Sequence, residues 1–219
     1  MRQVAFRILG RLEAEVDGRT VDLPSRRERA LLAALLLEVG EVLSTDTLID
    51  SVWGDPAPAS ARHMVHEYVS RLRAALLDAS VIVTRAPGYV VERRACELDA
   101  TQFADSLAAA RAAASAGDLD SALHSFDAAL GLWRGDVLSD VVLEGDARAA
   151  AARLGDHRRA ARSERESRRA PSSGRSTPNA FQAMPSRVRS TSSREKRIQA
   201  MMSRYTSSCR HTYPSARTK

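Results

Sequence analysis

Arg71 and Arg73 stand two residues apart near the end of a helical repeat that also carries Arg62, His63, His66 and Ser70. Arginine donates to guanine in a major groove, and a small neighbour such as Ala74 permits close approach, so a helix with this outer face suits duplex DNA. Thr84 and Arg85 precede a Pro87-Gly88 turn, where a cation reaches a minor groove or its flanking phosphates. Arg26 and Arg27 fall in the first turn of another helix, whose terminal amides also favour an anion. Solvated helix charges are the competing reading for Arg71 and Arg73. Glu67 on the same face reads as a solvated group or a partner for a nearby arginine rather than as a cytosine contact.

Other chemistries find less support. His63 and His66 have an i, i+3 spacing that can bind metal, but no cysteine or carboxylate completes a ligand set, so no metal site is expected. Asp136, Asp140, Glu144 and Asp146 form an acidic cluster without a nucleophile elbow, phosphate-binding glycine loop or HExxH sequence, and read as solvated surface. Trp53 and Tyr89 read as core aromatics with polar tips. The expectation is a protein that is not an enzyme and has no cofactor. Cys96 and Cys209 lie far apart and suggest neither a disulfide framework nor a metal knuckle. The longest apolar run, 30–37, is too short for a bilayer, and the N-terminus lacks a signal-peptide layout, so a soluble cytoplasmic protein with no membrane partner is expected.

The elements that must position these residues are legible as periods. Val4, Phe6 and Ile8, then Leu12, Ala14 and Val16, alternate as strands, with Asp17-Gly18 as a tight turn before Val21 and Leu23. Ser25 and Glu28 form a capping box that opens a helix over about 26–39. Ser44 or Thr45 caps a second helix ending at Gly54, and Val65, Tyr68, Val69, Leu72 and Leu76 make the inner stripe of a third over about 59–77. Residues 81–91 read as a hairpin, with Pro-Gly in a type II turn. From Asp99 the period is helical: an αα-hairpin broken at Gly117-Asp118, with a tetratricopeptide-like Gly117, Ala122, Phe126, Ala129 spacing, then a further helix over about 144–165.

Charge and leucine divide along the chain. Of 219 residues, 1–150 carry 16 Lys/Arg against 23 Asp/Glu, whereas 151–219 carry 17 against 4. All 22 leucines lie at or before Leu154. A stretch so poor in aliphatic side chains cannot offset its ordering entropy, so 166–219 is expected to be a disordered Arg/Ser-rich tail.

The stretches 23–55, 69–76 (VSRLRAAL), 84–92 (TRAPGYVVE), 97–113 and 129–141 (ALGLWRGDVLSDV) resemble the streptomycete antibiotic regulatory protein (SARP) family over about 5–160. The resemblance implies an α+β fold: an OmpR/PhoB-type winged helix-turn-helix domain over 1–94, then an all-α, TPR-like part of a bacterial transcriptional activator domain over 97–165. It further implies a sequence-specific, nucleoid-associated activator of a biosynthetic gene cluster, binding direct repeats of double-stranded DNA near promoters as a homodimer and contacting RNA polymerase. Two alternatives remain open at this level: a truncated or frame-shifted relative that binds DNA without activating, and a protein-interaction module built on the helical hairpin.

Overall fold

The computed structural model describes residues 2–23, 25–78 and 80–169; the expected basic tail from 170 on lies outside them. Three strands come first, β1 (Val4–Arg7), β2 (Glu13–Val16) and β3 (Arg19–Thr20), followed by α1 (Arg26–Leu37), β4 (Leu43–Ser44), α2 (Thr45–Trp53) and α3 (Ala61–Ala75). The hairpin β5 (Ile82–Arg85) and β6 (Gly88–Val91) and a short β7 (Glu97–Leu98) lead to α4 (Asp99–Ser115), α5 (Leu119–Gly131) and α6 (Gly145–Arg169). The last helix thus extends four residues past the expected limit.

β1 and β2 pair antiparallel with Phe6 opposite Ala14, and positive φ angles at Asp17 and Gly18 turn the chain into β3. β7 adds to the other edge of β1 in parallel, giving the order β3-β2-β1-β7. The alternating Val4, Phe6, Ile8, Ala14 and Val16 face Leu31, Leu32, Leu35 and Leu36 in one core with the inner stripe of α3. The second sheet, β4-β6-β5, carries the hairpin.

Two local expectations are corrected. Ser25 Oγ accepts from the Glu28 amide, but the Glu28 carboxylate turns to Arg71, so only half of the capping box forms. The hairpin turn is Ala86-Pro87, and Gly88 already sits in β6 with no left-handed φ, so the turn is not type II. Glycine is required there because a Cβ would lie 1.9 Å from the Leu43 carbonyl oxygen of the adjacent strand.

The helical half has its own core of Phe103, Leu107, Ala110, Phe126, Ala129 and Trp133, with Trp133 edge-on to Phe103 at 5.2 Å. Leu9 belongs to this core while its neighbour Ile8 belongs to the first, and Ala100, Val137 and Leu154 pack against both. A buried carboxylate fixes the junction: Asp99 accepts from the Ile8 amide (2.9 Å) and the Leu9 amide (3.0 Å) and pairs with Arg134 at 3.0 Å. The 132–144 connection lies along the same segment, through Arg134 N–H to the Leu9 carbonyl and Leu138 N–H to the Ile8 carbonyl.

Asp140 is also not the solvated residue expected. It accepts from the Leu12 amide at 2.9 Å and pairs with Arg29 and Arg11. Burial works against its charge, but the Leu12 amide and the Arg29 guanidinium outweigh it and hold the carboxyl below its ordinary range.

Asp99→Ala leaves two buried amides without their acceptor and Arg134 with Glu13 as its remaining carboxylate at 2.7 Å, and should lower unfolding stability by about 3 kcal/mol in urea titration. Because the Asp140 pKa is depressed in the folded state, its contribution is complete above the ordinary carboxylate range and lost as pH falls below it. Asp140→Asn should therefore destabilise at pH 7 and lose most of that penalty under acid conditions, as read by unfolding curves at each pH.

Candidate nucleic-acid interface

Helix α3 buries Ala61, Val65, Tyr68, Val69 and Leu72, which recur at three- and four-residue steps and seat it on α1 and α2. The same period leaves Arg62, His63, His66, Glu67, Ser70 and Arg71 exposed along one outer face. Behind it, Trp53 at the end of α2 stacks on Tyr68 with centroids 5.9 Å apart, and Arg27 lies 5.6 Å over the same indole. Trp53 and Tyr89 are packed in the interior as expected, and the Tyr89 hydroxyl reaches Nδ1 of His66.

Most of these cations already have partners. Arg62 pairs with Asp46 of α2, and His63 Nε2 lies 3.4 Å from Glu67. Arg71 meets Glu28 at 3.3 Å and Glu67 at 3.7 Å, and Arg85 reaches back from the hairpin tip to pair with Glu92 at 2.9 Å. The pairs of Arg62, His63 and Arg85 are solvent-exposed and contribute about 0–1 kcal/mol each, so an incoming phosphate can replace the carboxylate. Arg26 and Arg27 lie exposed in the first turn of α1, and Thr84 and Arg85 lie exposed at the hairpin tip. The fold thus gathers α3 and the hairpin around one region, with the contact elements linked through Tyr89–His66.

Arg73 departs from the expectation. It is half-buried and faces the hairpin, donating to the Ile82 carbonyl through Nε (2.9 Å) and Nη2 (2.6 Å) and to Thr84 Oγ1 at 2.9 Å, 6.0 Å over the Tyr89 ring. It is therefore not the solvated helix charge of the competing reading. Instead it braces β5 against the last turn of α3.

Two family profiles match this chain. One, described as Transcriptional regulatory protein, C terminal, covers residues 18–91, and the other, Bacterial transcriptional activator domain, covers 98–211. The chain belongs to the bacterial transcriptional activator domain family. Its pair of domains is that of a SARP-type regulator. The activator-domain match continues beyond residue 165, where the composition had set a boundary.

Among relatives, it is 43% identical over 137 residues to the Regulatory protein AfsR of Streptomyces coelicolor (62% of this chain, 14% of that protein). It is 36% identical over 146 residues to the Transcriptional regulatory protein MoaR1 of Mycobacterium tuberculosis (63% and 46%). The structure of Mycobacterium tuberculosis EmbR in complex with a low affinity phosphopeptide superposes with a TM-score of 0.70 at 30% identity, covering 77% of this chain and 46% of that one. This SARP-type chain therefore spans less than half the length of these relatives.

Sequence reasoning missed the partners: Asp46, Glu92 and above all Glu28, whose capping-box position pointed to a purely local role. It also missed that the hairpin strand needs Arg73. Arg73→Ala should lower stability by about 1–3 kcal/mol and loosen the hairpin, seen as faster amide exchange at Ile82 and Thr84 with α1 protection retained.

Proposed function

We propose that this protein is a sequence-specific DNA-binding transcriptional regulator, with α3 in the major groove and the β5–β6 hairpin on the flanking backbone or minor groove. The observation that carries the reading is the single exposed face of α3, which presents Arg62, His63, His66, Ser70 and Arg71 beside the hairpin cation Arg85 while its other face is locked into the core. Arg62 and Arg71 have the donors to read guanine, and Ser70 pairs with either kind of base edge. Arg26 and Arg27 supply charge at the start of α1, suited to a phosphate. The net acidity of residues 1–150 keeps non-specific affinity modest, because attraction depends on where the charges cluster.

The family match supports the wider reading: an activator in the cytoplasm, placed on direct repeats by pairs of chains and contacting RNA polymerase, with no catalytic role. Among the described residues no helix is long and apolar enough to cross a membrane.

Selection of bound duplexes from a random pool tests the proposal. An enriched direct repeat spaced by about one helical turn is the expected outcome; absence of binding to any duplex at low salt would leave only a protein-docking role. Arg85→Ala should weaken binding to all sequences alike and reduce the salt slope by about 1, measured as log Kd against log salt. Arg62→Ala, which removes a guanine donor from an exposed pair, should relax preference at one base position without changing the melting temperature.

A further inference from the structure

We infer that Glu28 is a positioning residue for DNA sequence readout: its buried carboxylate holds Arg71 so that the outer edge of the guanidinium reads a guanine rather than a phosphate. This rests on the DNA-binding reading above and adds to it a specificity determinant on a helix that does not itself enter the groove.

The Glu28 side chain is 0% exposed and that of Arg71 is 59% exposed, so the pair runs from the interior out to the surface of α3. Glu28 Oε1 accepts from Arg71 Nη1 at 3.3 Å, while Glu28 Oε2 is buried without a hydrogen-bond partner. A buried carboxylate is costly unless paired, and among the described residues this arginine supplies the cation it faces. The sequence pattern offered a cheaper arrangement, in which Glu28 would return to its own helix terminus; the chain instead spends that group on α3.

The consequence for Arg71 is orientation. A guanidinium has five donors in one plane, and Nη1 is committed inward, so the remaining donors face outward in a fixed fork. Bidentate donation to guanine O6 and N7 needs that fixed plane, whereas a phosphate accepts a loosely held cation. Glu67 does not compete strongly: at 3.7 Å it is beyond hydrogen-bond distance from Arg71 and is exposed.

The experiment compares the full chain with Glu28→Gln, Arg71→Lys, Arg71→Ala and the Glu28→Gln/Arg71→Ala double variant, by random-pool selection followed by competition binding at each base position. Glu28→Gln and Arg71→Lys should each lose about tenfold of guanine preference at the same single position. The double variant should lose no more there than Arg71→Ala. In the DNA-free protein, the Arg71 Nε–H should show restricted motion by NMR relaxation that Glu28→Gln abolishes. Arg71→Lys sits at an exposed site and carries the binding test even where Glu28→Gln lowers stability. Uniform weakening for all sequences, unchanged preference, or additive losses would overturn the inference while leaving the DNA-binding reading intact. If the unaltered protein selects no sequence, both fall.

Discussion

One buried carboxylate fixes the junction between the two halves of this molecule. Asp99 opens α4 at the point where the chain leaves the winged helix, and its oxygens are occupied by the Ile8 and Leu9 amides and by Arg134. Just past the end of β1, where the chain bends, Ile8 enters one core and Leu9 the other. A segment with hydrophobic neighbours on both sides leaves its amides with nothing to donate to except what the second half supplies. The 132–144 connection completes the arrangement, bringing Arg134, Leu138 and Asp140 back to the same strand end.

That construction bears on what the DNA-facing side can do. α6 runs from beside α2 to the far end of the helical hairpin, with the Glu144 amide bonded to the Ser51 carbonyl and α2 in contact with its first turns. The helical half therefore leans on α1 and α2, the helices on which α3 is seated.

On the face proposed to meet DNA, the cations of an acidic domain are held in pairs of unequal strength. Exposed Arg62 and Arg85 rest on Asp46 and Glu92, and these surface pairs are weak enough to exchange. Arg73 and Arg71 differ from them, the first tied to backbone carbonyl and hydroxyl oxygens of the hairpin and the second to a carboxylate that water does not reach. Two arginines separated by a single leucine thus serve unlike purposes, because one residue is about 100° of rotation around a helix and two carry the side chain from the groove side toward the wing.

Periodicity alone was sufficient for most of the architecture. The alternation in 4–16, the leucine repeat of α1, the stripe on α3 and the Ala122/Phe126/Ala129 spacing each report burial directly, since a side chain's facing depends only on local backbone geometry. The outer face of α3 was legible for the same reason: residues left over from an apolar stripe lie outside unless another element covers them, as the hairpin covers Arg73. What no local pattern contained was the destination of polar side chains that cross between elements. Glu28 satisfies the rule for a helix cap yet serves α3; Gly88 satisfies the rule for a turn yet is needed because Leu43 lies against it; Asp140 reads as surface yet anchors Leu12 and Arg29. The sequence by itself determined which faces are apolar and therefore which helices form and what they expose. Tertiary structure alone decided which charges meet, because partners 43 and 111 residues apart along the chain are brought within bonding distance only by the packed fold.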